Sequence, residues 1–566
     1  MRPALRAVVF DLDDTLFDCS GSLVEASRLR AAEALVAGGL PMTVPQAVEL
    51  QERLSDTHGP YFMVFDEIGR RYGLDEEALD AAFRAYHSEE VGEIAPFPDV
   101  IPTLRLLKKQ GILRLLLTVG HHRRQDAKLR KLRLRNEFDE VLVNDLDRGA
   151  LIHECLRYFL TKYNLDAGEV LVVGDRPAAE IRAANELGML TARMMQGRFR
   201  LAEPRDQFEV AHYRLSHVFQ VPTIVRLASL GKLPANLRIV AIGGGTGLPI
   251  VLTGCKAYCR DLTAVVAVTD SGRSSGKLRD EMHMPAPGDV RNCLVALSEP
   301  GERERLLNEL YQYRFKMGSL EGMSLGNLII AAMSDLEGSF EKGIKAISKL
   351  LNIRGKVLPS TITDCHVCAE LADGTIVERE VNVRGLNKPR IKRVFLKPDA
   401  PDALDEVVDD LLAADIIVLG PGSLFTSVIP NILVPRLLAA IQKSRAQKVY
   451  VCNAMTQPGQ TDGFTASEHY RALAQHLGEG VVNCMLLNSR LPGPDAVRRY
   501  RAEGAEAVGE DAGLESLGVR VVRADLVEDA DPSRVLWEKQ DLLRHHPDKL
   551  ADAVCRIYAD MALNGQ

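Results

Sequence analysis

The stretch LRIVAIGGGTGLPI, residues 237–250, decides the fold of the larger part of this chain. Its apolar first half is typical of a buried parallel strand, and four glycines follow within five residues. Glycine destabilises helices and strands unless the backbone needs a positive φ or a close approach. Because backbone N–H groups at such a turn can approach a phosphate, the stretch predicts a phosphate-binding loop. Leu248 stands where the dinucleotide fingerprint G-x-G-x-x-G has its third glycine.

Length and composition limit the class of protein. The 566 residues predict about three to four domain-sized units. A hydrophobic content of 46% and a charged content of 26% are typical of a soluble globular protein. The net charge of -7 provides no general basic face, so we expect no nucleic-acid partner. We find no stretch of about 18 apolar residues and no cleavable leader, so we expect no membrane span and a cytoplasmic location.

The ten cysteines predict no metal centre. Cys365 and Cys368 form a C-x-x-C pair, but no second pair follows at zinc spacing. The surrounding residues, TDCHVCAEL, alternate as in a strand. We therefore interpret the cysteines as reduced structural thiols.

Acidic residues follow the first predicted strand, residues 7–10. Asp11 and Asp13 stand two residues apart at its carboxyl end, the edge where open α/β sheets place their chemistry. Two such carboxylates can share one Mg²⁺ while one attacks phosphorus and the other transfers a proton.

The segment FDLDDTLF resembles motif one of the haloacid dehalogenase (HAD) superfamily, and later motifs follow in order. A strand at 113–117 ends in Thr118, the phosphate-binding hydroxyl of motif two. A strand at 170–173 precedes GDRPAAE, which is similar to the metal-binding G-D-x-x-x-x-D motif with glutamate as its last acid. The resemblance implies that Asp11 is the nucleophile and Asp13 the general acid/base. It also implies that both, with Asp175 and Glu180, hold Mg²⁺.

Motif three departs from the family pattern. HAD members place a lysine before the helix that precedes motif four, whereas NDLDRGALIHECL offers only Arg148. Arginine keeps the charge but has a different hydrogen-bond geometry. Two interpretations stay open: a phosphatase that uses Arg148, or a degenerate HAD unit.

A mostly helical insert lies between motifs one and two, at about 18–95, with apolar residues at i, i+3 and i+4. It resembles the helical cap of HAD phosphatases that act on small phosphorylated metabolites. The residues after motif two, His121 to Arg124, either reach a substrate phosphate or form the solvated start of a helix.

The second half repeats the strand–loop–helix pattern. Predicted strands at 262–269, 416–419 and 449–452 each end in loops rich in Gly, Ser, Asn or Asp. Several such strand ends at one sheet edge predict a binding cleft. The candidate nucleotide-binding residues in this part of the chain are Gly243, Gly244, Gly245, Thr246, Gly247, Leu248, Asp270, Ser274, Ser275, Gly288, Asp289, Asn292, Ser324, Gly326, Asn327, Gly420, Pro421, Gly422, Ser423, Asn453 and Thr456.

The motifs GGGTGL, SSGKLRDE, PGDVRNCLVALS, GPGSLFTSVIPNILVP and VCNAMTQPGQTDGFTASEHY resemble the gluconeogenesis factor family (YvcK-type), which is related to the CofD-type phospholactate transferases. The resemblance implies a Rossmann-like domain that binds a nucleotide sugar such as UDP-N-acetylglucosamine and regulates carbon flux. Near the C-terminus, LLRHHPDKLADAV resembles the start of the family's closing helix, so Arg544 is a further candidate nucleotide-binding residue that clamps the diphosphate or, alternatively, part of a charged helix start on the surface. Ser271 replaces an acidic or amide residue of the family, which weakens acid/base chemistry more than nucleotide binding.

The sequence thus predicts an α/β protein with two Rossmann-like units. These are a HAD-like domain at 1–200 and a nucleotide-sugar-binding domain at 237–566, joined by a linker with one short helix at 201–236. The leading hypothesis combines a Mg²⁺-dependent phosphatase with a regulatory domain. The alternatives are a non-catalytic sensor and a group transferase. A homodimer would be ordinary.

Overall fold

The computed structural model describes residues 4–58, 63–145, 151–299, 301–490, 493–527 and 545–564. The chain divides into two compact units, residues 1–232 and 233–566. Each unit is built on a parallel sheet, so the predicted α/β class is confirmed. Among the described residues no single helix is long and apolar enough to span a membrane. One pair, Leu424–Ile432 and Pro435–Lys443, passes that test jointly and is bent by 79°.

The first unit has a six-stranded parallel sheet in the order β3-β2-β1-β4-β5-β6. Its central strands are apolar and almost fully buried, as expected of strands covered by helices on both faces. The strands are β1 (Ala7–Phe10), β2 (Leu113–Val119), β3 (Glu140–Asn144), β4 (Val170–Gly174), β5 (Leu190–Met194) and β6 (Tyr213–Leu215).

Nine α-helices among the described residues accompany this sheet. They are α1 (Cys19–Ala37), α2 (Val44–His58), α3 (Val64–Tyr72), α4 (Glu76–Tyr86), α5 (Val100–Lys109), α6 (His122–Lys131), α7 (Ile152–Tyr163), α8 (Arg182–Glu186) and α9 (Val221–Ser229). The first four fall in the predicted cap and share a small apolar core that includes Leu35, Leu50 and Ile68. The cap is therefore a helical subdomain with its own hydrophobic core.

The predicted linker, residues 201–236, contributes to the first unit. Within it, β6 pairs with β5 along Ala192–Met194, and α9 buries seven of its nine residues. The division between the two units falls after Lys232. The linker prediction overlooked β6 because a strand of three residues is too short for alternation to be visible.

The second unit has a seven-stranded parallel sheet in the order β16-β15-β14-β13-β7-β8-β9. A separate antiparallel sheet, β11-β10-β12, is inserted between β9 and β13. The strands are β7 (Arg238–Gly243), β8 (Asp261–Val266), β9 (Lys356–Pro359), β10 (His366–Leu371), β11 (Ile376–Glu378), β12 (Ile391–Lys397), β13 (Ile416–Leu419), β14 (Gln447–Val451), β15 (Cys484–Asn488) and β16 (Arg520–Ala524).

The helices of the second unit cover the seven-stranded sheet and its loops. They are α10 (Gly247–Cys255), α11 (Arg273–Met282), α12 (Gly288–Leu297), α13 (Glu302–Gln312), α14 (Leu325–Leu336), α15 (Phe340–Leu350), α16 (Glu380–Val383), α17 (Asp405–Ala413), α18 (Ile429–Ile432), α19 (Pro435–Lys443), α20 (Ala466–Leu477), α21 (Pro494–Ala502) and α22 (Pro547–Asn564). All ten cysteines are unpaired, and Cys365 and Cys368 are buried at β10.

Candidate functional sites

The first candidate site lies at the carboxyl ends of three neighbouring strands. Asp11 follows β1, Thr118 is the penultimate residue of β2, and Asp175 follows β4, and all three side chains are buried. The backbone N–H of Asp11 donates to the carbonyl of Val173 at 2.8 Å, which continues the β1–β4 pairing to the site. The parallel order β2-β1-β4 therefore brings these predicted residues together.

Asp13 is held by a lysine that the sequence analysis did not single out. The Lys128 ammonium on α6 donates to both carboxylate oxygens of Asp13, at 2.8 and 2.7 Å. Burial would raise the pKa of Asp13, but the Lys128 charge and hydrogen bonds, with help from Gln125, lower it. The Lys128 side chain is only 5% exposed. This contact is thus a buried ion pair at the predicted general acid/base.

A second residue of α6 orients the motif-two hydroxyl. The Gln125 amide Nε2 lies 2.9 Å from Thr118 Oγ1, 2.7 Å from the Val119 carbonyl and 3.4 Å from Asp13 Oδ2. Gln125 is buried, so these contacts fix its side chain. One face of α6 consequently positions both Asp13 and Thr118.

The motif-four acids lie beside Asp11. A side chain at Gly174 would meet Glu180 Cβ at 3.2 Å and Asp11 Cβ at 3.6 Å, so glycine permits their close approach. Burial, then the charge of the neighbouring acids, raises the pKa of Asp11 and of Asp175 well above the usual range. Arg176 forms an ion pair with Glu180, and its pKa is raised mainly by that carboxylate.

This donor set fits a hard divalent cation such as Mg²⁺. Asp11, Asp175 and Glu180 offer buried carboxylate oxygens, the ligands that Mg²⁺ prefers. Glu180 Oε2 is buried and has no hydrogen-bond partner among the described residues. Within that part of the chain, these acids do not bring three ligand oxygens within 4.8 Å of one another. A cation here would therefore take one or two carboxylates directly and water at its other positions.

The basic residues predicted to act at motifs two and three have different surroundings. Arg148 lies outside the described residues. Arg124 is buried and donates to Ser27 Oγ of α1 at 3.0 Å and to the carbonyl of Tyr86 at the end of α4. His122 and Arg123 are exposed. Arg124 thus ties α6 to the cap, whereas its two neighbours are solvated.

The second candidate site lies around the glycine loop after β7. The N–H of Gly245, predicted to meet a phosphate, donates instead to Asp289 Oδ2 at 2.6 Å. A side chain at Gly244 would lie 2.5 Å from that same oxygen, and one at Gly247 would clash with the Pro421 carbonyl. The loop therefore accommodates close approaches, as the glycine run predicted, and a carboxylate of this chain fills one anion position.

Asp289 is partly exposed and lies in an acidic environment. Burial, with Asp270 and Glu380 nearby, raises its pKa to about 7 in spite of the Gly245 hydrogen bond. Burial and then Arg314 lower the pKa of the neighbouring Arg291 to about 10. The glycine loop thus faces a carboxyl group whose charge changes near neutral pH.

A buried polar network joins three of the predicted loops. Arg291 donates to Ser324 Oγ and, at 3.1 Å, to Asn327 Oδ1. The Asn327 amide reaches Ser274 Oγ at 3.2 Å and Ser275 Oγ at 3.5 Å. Arg291, which the sequence analysis did not single out, therefore connects the first turns of α11, α12 and α14.

The loops after β13 and β14 are also joined. Gly422 N donates to Asn453 Oδ1 at 3.0 Å, and Asn453 Nδ2 donates to the Gly422 carbonyl at 2.8 Å. Gln457 donates to Ser423 Oγ at 2.9 Å. The backbone of Thr456, by contrast, pairs with Glu506, with its N–H 2.7 Å from the Glu506 carbonyl.

The remaining residues predicted to bind a nucleotide have different structural roles. Gly288 and Gly326 permit close packing, because a side chain on either would clash with Ser275 Oγ or the Tyr311 carbonyl. Asn292 accepts a hydrogen bond from Arg291 at 2.9 Å. Leu248 is fully buried and belongs to the apolar core. Arg544 lies outside the described residues.

Comparison with known proteins identifies both units. The family model for the 2-phospho-L-lactate transferase CofD matches residues 239–527, which is half of the chain. The gluconeogenesis factor of Halalkalibacterium halodurans is 46% identical over 320 residues, 56% of this chain and 95% of the relative. The chain belongs to the CofD and gluconeogenesis factor family. The model for haloacid dehalogenase-like hydrolases matches residues 5–188, so the first unit is a HAD-like domain.

Two further relatives agree with this assignment. The gluconeogenesis factor of Bacillus subtilis strain 168 is 44% identical over 324 residues, covering 57% of this chain and 97% of the relative. The crystal structure of a upf0052 family protein from Bacillus halodurans is also 44% identical, with a TM-score of 0.52 over 56% of this chain and 98% of that protein. The predicted fusion of a HAD-like domain with a gluconeogenesis factor domain is confirmed.

The raised pKa of Asp289 predicts a pH-dependent stability. A carboxyl whose folded pKa lies above its unfolded value stabilises the fold while protonated, and this stabilisation is lost as the pH rises through about 7. Asp289→Asn mimics the protonated form. The natural chain loses this stabilisation as the pH rises, and the variant does not. The difference in unfolding free energy between the variant and the natural chain should therefore grow by roughly 1–3 kcal/mol from pH 5 to pH 8.

Thermal unfolding of the full chain at both pH values measures this difference. Asp405→Asn is the control, because the Asp405 side chain is 83% exposed. An Asp289→Asn advantage that is equal at pH 5 and pH 8 would contradict the assignment.

Proposed function

We propose that the HAD-like domain is a Mg²⁺-dependent phosphatase for a small phosphorylated metabolite. The observation that carries this proposal is the Lys128–Asp13 ion pair beside the buried Asp11. The family's motif-three lysine serves as a cation at the reacting groups, and Lys128 supplies a cation there from α6. The role that the sequence analysis gave to Arg148 is thereby assigned to Lys128.

The residues can carry out a two-step hydrolysis. A carboxylate oxygen of Asp11 attacks phosphorus, and the bond to the ester oxygen breaks while the protonated form of Asp13 gives its proton to that leaving group. Because Lys128 lowers the pKa of Asp13, this protonated form is the minor one at neutral pH. Asp13, now ionised, accepts a proton from water, which attacks phosphorus and releases phosphate from Asp11. Thr118, oriented by Gln125, donates a hydrogen bond to the phosphoryl oxygens. Mg²⁺, held directly by one or two of the carboxylates of Asp11, Asp13, Asp175 and Glu180 and through water by the others, would supply electrostatic screening of the phosphoryl charge.

Lys128 also orients Asp13 for these proton transfers. Because the ammonium contacts both oxygens of the carboxylate, Asp13 is kept in one rotamer beside Asp11. Arg124, one helical turn before Lys128 on α6, contacts α1 and α4 of the cap. We infer that α6 positions both the cap, through Arg124, and the general acid/base Asp13, through Lys128. A substrate between the cap and Asp13 would be enclosed from water, which suits a small molecule.

Substitution of Lys128 tests this proposal. Lys128→Met should lower kcat for a generic phosphate monoester about 100-fold or more, because an electrostatic contact at the reacting groups is lost. Lys128→Arg should recover part of that loss, since the charge is retained with a different geometry. Phosphate release in the presence of Mg²⁺ is the measurement, and Asp11→Asn should abolish it.

Lys131→Met is the matched control, because Lys131 lies on the same helix but pairs with the exposed Glu93. Turnover by Lys128→Met within twofold of the natural chain would overturn the role of Lys128. An activity that survives in Asp11→Asn would place the chemistry elsewhere.

We propose that the second unit binds a nucleotide sugar such as UDP-N-acetylglucosamine and has a regulatory role in carbon metabolism. Joined loops at the carboxyl ends of β8, β13 and β14 support binding of an extended, phosphate-bearing ligand at this edge. The similarity to proteins named gluconeogenesis factors supports the regulatory role. The Gly245 N–H is already occupied by Asp289, so a phosphate there must displace an internal carboxylate.

Calorimetry of the full chain tests the binding proposal. UDP-N-acetylglucosamine should bind saturably and without product formation, and more tightly than GDP or NAD. Asn453→Ala should weaken binding, because it releases the loop after β13 from the loop after β14. Tighter binding of GDP, or conversion of the ligand, would favour a transferase instead.

A further inference from the structure

An arm of the second unit crosses the edge at which the candidate nucleotide site lies. We define this arm as residues 379–388, between β11 and β12; it contains the short helix α16. Val381 N donates to Ser271 Oγ, after β8, at 3.2 Å. Helix α16 packs on the segment Leu424–Val428, after β13. The Lys388 ammonium donates to the carbonyl of Gly459, after β14.

The arm fits closely against these loops. A side chain at Gly459, where φ is +78°, would lie 2.6 Å from the backbone carbonyls of Arg384 and Gly385. Arg379, directly before α16, has a φ of 72°, a conformation that costs a non-glycine residue free energy. Such strain persists only where surrounding contacts determine the backbone. The contacts of the arm therefore fix its backbone conformation against this edge of the sheet.

The strained backbone at Arg379 places Glu380, the next residue, in the acidic environment of the site. Glu380 is buried, and a side chain at Gly272 would lie 3.9 Å from its Oε2 and 3.4 Å from Asp270 Oδ1. Asp289 belongs to the same environment. Three carboxyl groups beside the glycine loop would repel a diphosphate, so a positive charge near them would favour its binding.

Among the described residues, two arginines near this environment, Arg291 and Arg384, differ in how many of their N–H donors are engaged. Arg291 is buried, and its guanidinium is engaged by Ser324, Asn327 and Asn292. Arg384 donates one hydrogen bond, from Nη1 to Glu380 Oε1 at 3.0 Å, and its side chain is 58% exposed. Its other N–H donors have no partner in the part of the chain that the structure describes. A guanidinium with open donors matches phosphate oxygens bidentately.

We propose that Arg384, carried on the arm, binds the phosphates of the ligand from the side opposite the glycine loop. This inference rests on the proposed nucleotide-sugar binding and names a residue that specifies a diphosphate. Glu380 then acts as the positioning residue that holds Arg384 at the edge of the site. The arm closes this edge over the bound ligand.

The proposal can be tested by comparing the binding of ligands with and without a diphosphate. The dissociation constants of UDP-N-acetylglucosamine, UDP and uridine are measured by calorimetry on the full chain and on Arg384→Ala. Arg384→Ala should weaken binding of both diphosphates at least tenfold and leave the weak binding of uridine unchanged. Arg384→Lys should fall between, since one ammonium replaces a bidentate fork.

Arg393→Ala is the matched control. Arg393 is similarly exposed, at 51%, and pairs with a single glutamate, Glu370, on the small sheet. It should bind all three ligands as the natural chain does, and unfolding midpoints should agree between the variants. If Arg384→Ala bound the diphosphates as tightly as the natural chain, the role of Arg384 would be overturned and the proposed nucleotide-sugar binding would stand. Loss of uridine binding to the same extent would show a purely structural role, whereas no diphosphate binding by the natural chain would overturn both proposals.

Discussion

Charge compensation of buried carboxylates at the carboxyl ends of parallel strands is the constraint on which both units depend. A buried carboxylate is costly unless a cation or hydrogen-bond donors accompany it. In the HAD-like domain Lys128 accompanies Asp13, and Arg176 accompanies Glu180. In the second unit the Gly245 N–H accompanies Asp289, and Arg384 accompanies Glu380. Each pairing sets how the acid is oriented and what a ligand must displace.

This constraint predicts that the two sites differ in how they accept an anionic ligand. Around Asp11 the compensating cations leave Glu180 Oε2 without a hydrogen-bond partner in the described part of the chain, a position suited to a divalent cation. Around Asp289 the compensating donor is itself the N–H that a phosphate would use. A phosphate can therefore approach the first site with a metal, whereas at the second it competes with a carboxylate whose pKa is about 7.

Much of the fold and part of each site could be predicted from the sequence. Asp11, Thr118 and Asp175 stand at or beyond the ends of apolar strands, and parallel pairing brings such ends together. Lys128 and Gln125 could not be recognised in the same way, because HRRQDAKLRK reads as a solvated basic helix. A clue was available, since residues 124, 125 and 128 share one face of a helix that follows motif two. Arg384 was overlooked because its position depends on an arm that returns to the sheet edge over a long distance in sequence.

The nucleophilic role of Asp11, in a site completed by Lys128, can be tested by rapid acid quenching during turnover of a generic phosphate monoester, followed by mass spectrometry of the peptides. We expect phosphate on Asp11 in a linkage that hydroxylamine cleaves, at a lower level in Lys128→Met than in the natural chain. Hydrolysis with no phosphate on Asp11, or with phosphate on another residue, would contradict it.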